Sequence, residues 1–160
     1  MATTIVIGAG QAGAEVVSKL RAEGYEGRVV LIGQENYLPY QRPPLSKKYM
    51  AGEMALERLF LKPKEFYQDK GIELLIGQSA LKINPIEQEI EFTDGILNYD
   101  HLVLATGSKP RELTPYIGRK INNLFTMRDL NCLLYTSPSP RDQRGSGMRG
   151  SGLKKKKRRG

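Results

Sequence analysis

The sequence predicts an α/β domain with a central parallel sheet and a smaller three-stranded antiparallel meander. An apolar run over residues 5–7 passes through a glycine-rich loop into a helical pattern, and residues 28–32 form a second short β-branched run. Strands without polar alternation are typical of sheets covered on both faces, as in βαβ units. Three short alternating segments, separated by the turn signals Asn84-Pro85 and Asp94-Gly95, predict the meander.

The elements can be placed in chain order. Helical spacing from Val16 to Arg21 predicts a first helix that Gly24 stops. Residues 34–45 form a Pro-rich loop, residues 45–51 predict a short helix ended by Gly52, and a second short helix is expected from Pro63 to Gly71. The remaining predicted strands are residues 72–76, then 80–84, 89–93 and 96–98 of the meander, and finally 102–105.

The glycine loop predicts a dinucleotide site. Gly8 allows a sharp turn out of the first strand, Gly10 allows backbone to approach a pyrophosphate, and Gly13 allows the helix to pack closely on the sheet. Free N–H groups at the helix start favour phosphate. Glu35 follows Gly13 by 22 residues, about the spacing of an acid that binds ribose hydroxyls. The alternative is that the glycines serve only a tight turn.

Length, hydrophobic content and charge distribution limit the number of domains and the kinds of partner to be expected. With 160 residues and 39% hydrophobic content, the chain suffices for one domain with one core. The net charge of +8 would suggest nucleic acid, but nine of the 25 Lys and Arg residues and one of the 17 acids lie beyond Asn131. Residues 1–131 therefore balance 16 basic with 16 acidic residues, and no nucleic-acid partner is expected.

The tail, residues 132–160, needs a separate explanation. Residues 132–142, CLLYTSPSPRD, resemble the translation of a transposase adapter used in DNA-library preparation, and residues 154–157 resemble translated poly-A. We therefore expect native sequence to stop at or just before Asn131 and the tail to be disordered. The alternative is a basic tail for nuclear import or nucleic-acid contact.

Several other chemistries are disfavoured. Cys132 is the only cysteine, so neither a disulfide framework nor a CxxC pair is available, and the single histidine, His101, is interpreted as structural because no metal site is expected. Tyr116 and Lys120 match a YxxxK spacing, but Pro115 and Gly118 argue against the helix it requires. Without a secretory signal or a membrane-spanning run, we expect a cytoplasmic protein with no membrane partner.

Five segments within residues 1–131 resemble those of a known protein family. The segments GAGQAG, LIGQENYLPYQRPPLSK, the meander ending in TDG, YDHLVLATGSKPR and NNLFTMRDL resemble, in order and spacing, FAD-dependent ferredoxin reductases of the rhodocoxin and putidaredoxin reductase type. Apoptosis-inducing factor shares much of this pattern. The resemblance covers essentially all of residues 1–131 and implies a Rossmann-like FAD-binding domain, present incompletely.

The resemblance also implies roles for individual residues. Gly8, Gly10, Gln11, Ala12 and Gly13 would hold the FAD pyrophosphate, and Gln34 with Glu35 the adenosine ribose. Many relatives have an acid at the position of Gln34, so the contact here would rest more on Glu35. The remaining implied contacts are Arg42 and Lys47 on the flavin side, Ala80 at the adenine, Ala105, Thr106 and Gly107 where the chain passes the cofactor, and Arg128 in the LR-type segment. No protein group is expected to be catalytic, although Lys47 would stabilise charge on reduced flavin.

The family's NAD(P)H-binding domain, second FAD-contacting segment and C-terminal interface domain would follow Arg128. The intact parent would pass a hydride from NAD(P)H to FAD and single electrons to an iron-sulfur ferredoxin. We expect FAD binding by this chain to be weak or undetectable, and the chain to be inactive. Two alternatives stay open: a stand-alone nucleotide-binding module, and a flavoprotein of the apoptosis-inducing type.

Overall fold

The computed structural model describes residues 1–111 and 128–132, and two sheets organise them. In chain order the strands are β1 (Thr3–Ile7), β2 (Arg28–Gly33), β3 (Ile72–Ile76), β4 (Ala80–Asn84), β5 (Glu89–Phe92), β6 (Gly95–Asn98) and β7 (His101–Leu104). The first sheet is parallel throughout, with strand order β3-β2-β1-β7, and the second is the antiparallel meander β4-β5-β6.

Two α-helices lie in the crossover connections of the parallel sheet. Helix α1 (Gln11–Ala22) joins β1 to β2, and helix α2 (Lys64–Asp69) precedes β3. Between β2 and α2 the chain forms an irregular helical segment, Leu45–Tyr49, and a 3-10 turn, Leu56–Leu59.

The parallel sheet is the middle of three layers, because its side chains alternate between two cores. On one face Val6, Val29 and Leu31 pack with Val17 of α1 and Tyr67 of α2. On the other face Ile5, Ile7, Val30 and Ile32 pack with Ile90 of the meander. Both faces of β1 and β2 are therefore covered, which explains why these strands lack polar alternation.

A third apolar cluster lies outside the sheets and involves the loop after β2. Its buried members are Tyr40, Leu45, Leu59 and Leu130. Leu130 is only 1% exposed and belongs to the short segment 128–132, which we call the docked segment. Asp129 accepts a hydrogen bond from the Cys132 N–H at 2.9 Å, so it caps the helical turn that begins at Leu130. The docked segment thus packs on the loop that follows β2.

The predicted α/β class, parallel sheet and meander are confirmed. Strands β3 and β4 begin and end at the predicted residues, and the boundaries of the other strands differ by one or two residues. The short helix predicted over residues 45–51 is irregular instead. Lys47 has φ −125° and ψ −109°, outside helical values, and the Tyr49 and Met50 N–H groups donate to carbonyls five residues earlier. Of the tail that was predicted to be disordered, Cys132 is described and belongs to the helical turn at Leu130, whereas residues 133–160 and the YxxxK pair lie outside the described residues.

Candidate functional site at the carboxyl ends of the parallel strands

Gly8 directly follows β1, at a point where the backbone of β2 and the residue after β7 approach closely. Its N–H donates to the Ile32 carbonyl at 2.8 Å, and the Ala105 N–H donates to the Ile7 carbonyl at 2.8 Å. Gly8 has φ +112°, and a Cβ atom there would lie 2.2 Å from the Ala105 carbonyl oxygen. Only glycine fits this position, because both the backbone angle and the contact exclude a side chain.

The other two loop glycines differ sharply from each other. A Cβ on Gly13 would lie 2.0 Å from the Gly8 carbonyl oxygen, so the packing of α1 on the loop requires glycine. A Cβ on Gly10 would meet no atom within 4 Å, and its φ of −91° is ordinary for any residue. The packing of the described chain therefore explains Gly8 and Gly13 but leaves open space at Gly10.

Helix α1 presents its amino terminus at this open space. Gly10 caps the helix and has no side chain that could bond the first-turn N–H groups, and its carbonyl accepts the Ala14 N–H at 3.0 Å. Gln11 and Ala12, the first two helical residues, are exposed. The N–H groups of a first helical turn lack intrahelical acceptors and carry the positive end of the helix dipole. The start of α1 can therefore bind an anion such as a phosphate.

A cleft of about 480 Å³ lies beside Gly8, between the carboxyl ends of the parallel strands and the meander. It brings together four of the predicted site residues: Gly8, Gln34, Ala80 and Thr106. The rest of the lining comes from strand ends and from β4, namely Ile7, Ile32, Gln78, Ser79, Leu81, Lys82, Ile83 and Leu104. The lining is largely apolar with a few polar groups, as in small-molecule sites.

The position of the cleft follows from the strand order. From β1 the chain moves to β2 and β3 on one side, whereas β7 pairs with β1 on the other side. In open α/β sheets the loops at such a reversal diverge and leave a crevice at the carboxyl ends of the strands. Gly8 after β1 and Thr106 after β7 stand at this crevice, so the topology itself places the cleft there.

Glu35 lies two residues after β2 and is held by two other side chains. Its Oε1 accepts from Arg42 Nη2 at 2.5 Å, and its Oε2 accepts from the Tyr40 hydroxyl. A Cβ on Gly33, the last residue of β2, would lie 2.4 Å from Ala9 Cβ, so the end of β2 touches the glycine loop. Glu35 is therefore anchored near the loop, as predicted, with both carboxylate oxygens engaged.

Arg42 and Tyr40 also reach the docked segment. Arg42 Nη1 donates to the Arg128 carbonyl at 2.6 Å, and the Tyr40 hydroxyl accepts the Leu130 N–H at 3.2 Å. Burial raises the pKa of Tyr40, and the hydrogen bond and negative charge of Glu35 raise it further. The hydroxyl is therefore protonated at neutral pH and available as the donor to Glu35. We call Glu35, Tyr40 and Arg42 the carboxylate clamp.

The remaining predicted residues lie around these two features. The Arg128 side chain lies against Gly107, where an added Cβ would be 3.2 Å from Nη2. Arg42, predicted on the flavin side, donates to Glu35, which was predicted at the ribose. Lys47 is exposed, in the irregular segment after the clamp. The structure thus groups Glu35, Arg42 and Arg128, and separately Gly8, Gln34, Ala80 and Thr106.

Comparison with known proteins decides the family. The sequence model for pyridine nucleotide-disulphide oxidoreductases matches residues 2–137. The chain belongs to this family. Among its relatives in the family, putidaredoxin reductase CamA from Pseudomonas putida is 42% identical over 135 residues, which is 81% of this chain and 32% of the relative. Rhodocoxin reductase from Rhodococcus erythropolis is 39% identical over 125 residues, 78% of this chain and 29% of the relative.

Comparison with solved structures also supports this family. The crystal structure of the covalent putidaredoxin reductase–putidaredoxin complex matches with a TM-score of 0.68 and 42% identity, covering 70% of this chain and 27% of that one. The resemblance to ferredoxin reductases of the rhodocoxin and putidaredoxin type is confirmed. This member of the oxidoreductase family spans about a third of the length of these curated relatives.

Several residues at the site were not predicted from sequence. Gln78 and Ser79 were missed although they immediately precede Ala80, because a polar turn between strands has no pattern that marks a ligand contact. Tyr40 was missed because a tyrosine five residues after an acid is no recognised motif, and its other partner, Leu130, is 90 residues away. Within residues 1–111 and 128–132, no group of His, Cys, Asp and Glu residues has the geometry to hold a metal ion. In the same part of the chain, none of the helices combines the length and apolar character needed to cross a membrane.

Proposed function

We propose that the chain is the FAD-binding portion of an NAD(P)H-dependent ferredoxin reductase and that it binds the ADP half of the cofactor. The observation that carries the proposal is the contrast among the loop glycines. Gly8 and Gly13 are needed by the packing of the chain, whereas a Cβ at Gly10 would meet no atom of the described residues within 4 Å. A pyrophosphate at the start of α1 would occupy that space and accept hydrogen bonds from the first-turn N–H groups.

The proposed cofactor fits the residues around the loop. Gln11, Ala12 and Gly13 supply backbone donors for the pyrophosphate, and Gln34 and Glu35 stand at the end of β2 for the ribose. Across the cleft, Ala80 supplies backbone groups to the adenine, while Thr106 with neighbouring Ala105 and Gly107 borders the cofactor. Arg42, Lys47 and Arg128 are proposed for the flavin side.

When FAD is bound, the flavin half of the cofactor would supply the chemistry. It would accept a hydride from NAD(P)H and release electrons singly to an iron-sulfur ferredoxin. The protein's own role is to bind and orient the nucleotide and to place positive charge near the ring. The names of relatives, such as putidaredoxin reductase and rhodocoxin reductase, support a ferredoxin as partner. The domain boundary at Asn131 and the cytoplasmic location stay predictions.

The proposal is tested by titrating the ¹⁵N-labelled full chain with FAD, ADP and FMN while amide NMR shifts are followed. ADP and FAD should shift the amides of residues 8–13 and of Gln34 and Ala80, whereas FMN, which lacks the adenine half, should shift them much less. ADP and FAD that leave the glycine loop unshifted, or that shift a different surface, would contradict the proposal.

A second assay separates an inactive reductase fragment from a complete enzyme. Because the chain spans about a third of its relatives, we expect NAD(P)H-dependent reduction of ferricyanide in the presence of FAD to stay at the rate of free flavin. Turnover above that rate would mean that the chain is itself a complete enzyme.

A further inference from the structure

The carboxylate clamp connects two parts of the molecule that are distant in sequence. Tyr40 is 4% exposed, and its hydroxyl both donates to Glu35 and accepts from the Leu130 N–H, 90 residues away along the chain. Arg42 connects the same two parts through its terminal nitrogens, since Nη2 donates to Glu35 and Nη1 donates to the Arg128 carbonyl. The same two side chains therefore hold both the carboxylate and the docked segment.

The clamp is also internally braced. The Arg42 guanidinium lies 5.3 Å from the centroid of the Tyr40 ring, within the range of a cation–π contact. The Tyr40 ring belongs to the apolar cluster that buries the Leu130 side chain. Movement of the docked segment would therefore disturb Tyr40 through the hydrogen bond and through the packing at once.

The Glu35 carboxylate can still accept hydrogen bonds from a ligand. An ionised carboxylate offers about four lone-pair positions, and the clamp uses one at each oxygen. The Glu35 side chain is 24% exposed, so it is fixed in direction without being sealed from solvent. Such a carboxylate is suited to two neighbouring hydroxyl donors, because its orientation is set before the ligand arrives.

The geometry points to Tyr40 and Arg42 as positioning residues that aim Glu35 at the vicinal hydroxyls of the nucleotide ribose, and that couple ribose binding to the docked segment. This inference rests on the proposed function, since it needs an adenine nucleotide at the glycine loop. It adds that the docked segment, through Leu130 and Arg128, sets the affinity of a ribose contact that it does not itself make.

The test compares ADP with 2′,3′-dideoxy-ADP on the full chain, by NMR titration. The wild type should bind ADP about tenfold more tightly, as expected for hydroxyl hydrogen bonds to a charged acceptor. Tyr40→Phe removes one oxygen and both of its hydrogen bonds. It should bring ADP affinity down to that of dideoxy-ADP and change dideoxy-ADP affinity less than about twofold, whereas general damage to the fold would weaken both ligands.

A matched control is available three residues away. Tyr37 packs edge-on against Tyr40 at 6.5 Å, and in the described part of the chain its hydroxyl has no hydrogen bond. Tyr37→Phe should therefore keep the wild-type preference for ADP. Arg42→Lys is the second test variant, because lysine keeps the charge but lacks the fork that reaches Glu35 and Arg128 together. It should also lose the preference, and it decides the question if Tyr40→Phe does not fold.

Amide exchange tests the coupling. Saturating ADP should slow the exchange of the Leu130 N–H at least about threefold in the wild type, dideoxy-ADP should slow it less, and Tyr40→Phe should abolish the difference, as reciprocal coupling requires. An ADP preference that survives in both Tyr40→Phe and Arg42→Lys, or a Leu130 exchange rate indifferent to ADP, would overturn this inference. Equal wild-type affinity for the two ligands would also overturn it and leave nucleotide binding intact. A chain that binds neither ligand would overturn the proposed function itself.

Discussion

Arg21 should be among the most important polar residues for stability, because one guanidinium holds three segments together. It lies in the last turn of α1 and donates to four backbone carbonyls. Two belong to the loop before β2, Tyr25 at 2.5 Å and Gly27 at 2.8 Å, and two to the turn before β3, Lys70 and Gly71, each at 2.8 Å. Arg21→Met keeps much of the aliphatic packing and removes all four hydrogen bonds.

The size of the loss can be worked out from these contacts. The bonds to Tyr25 and Gly27 are part-buried, so each should contribute about 1 kcal/mol or somewhat more, whereas the exposed bonds to Lys70 and Gly71 should contribute about 0.5 kcal/mol each. We therefore expect Arg21→Met to lower the free energy of unfolding by about 3 kcal/mol. For a domain of this size the midpoint of thermal unfolding would fall by about 12 °C.

The assay is urea and thermal unfolding of the full chain, followed by circular dichroism. Arg28→Met is the matched control, since Arg28 makes an exposed ion pair with Glu73 at 2.7 Å, with side chains 44% and 43% exposed. Such a pair contributes under about 1 kcal/mol. Equal effects of the two substitutions, or an Arg21→Met variant as stable as the wild type, would refute the argument that Arg21 joins the three segments.

Two further predictions concern stability. Gly13→Ala should lower the free energy of unfolding by more than about 3 kcal/mol in urea titrations, because its Cβ would lie 2.0 Å from the Gly8 carbonyl oxygen and backbone must move; a near-neutral result would contradict the close packing of α1 on the loop. Tyr67→Phe should be neutral or stabilising by about 1 kcal/mol, because the buried Tyr67 hydroxyl has no hydrogen-bond partner in the described part of the chain. Burial raises the pKa of Tyr67 to about 12, so the unfolded chain loses this proton first and stability falls as pH rises from about 10 to 12. Unfolding across that range should show a smaller alkaline loss for Tyr67→Phe than for the wild type, and an equal loss would contradict the burial argument.

The sequence predicts the sheets well where strand and turn signals agree. Strand β3 is flanked by Gly71 and Gly77, both with positive φ, and β4 is followed by the Asn84-Pro85 turn, so local chemistry sets the ends. The irregular segment at Lys47 could not be predicted in the same way. Apolar spacing indicates which side chains are buried, but hydrogen bonds to carbonyls five residues back are not encoded in that spacing.

The candidate site likewise contains some residues that local sequence predicts and others that depend on the tertiary fold. The glycine loop and Glu35 follow from local spacing within one βαβ unit, which fixes their relative positions. The contacts between the carboxylate clamp and the docked segment could not be found this way, because Tyr40 and Arg42 meet Leu130 and Arg128 only through the tertiary fold. The cleft lining from Gln78 and Ser79 likewise depends on how the meander packs against the parallel sheet.

The central claim is that the open space at Gly10 belongs to a nucleotide phosphate, and Gly10→Ala tests it most directly. No atom of residues 1–111 or 128–132 lies within 4 Å of the added Cβ, so the unfolding midpoint should match that of the wild type. The affinity for ADP should nevertheless fall at least about tenfold, because the methyl group takes the place of a close backbone-to-phosphate approach. Glu15→Ala, an exposed change on the same helix, is the control and should leave both quantities unchanged. An intact ADP affinity in Gly10→Ala, measured by NMR titration in a chain of unchanged stability, would contradict the account.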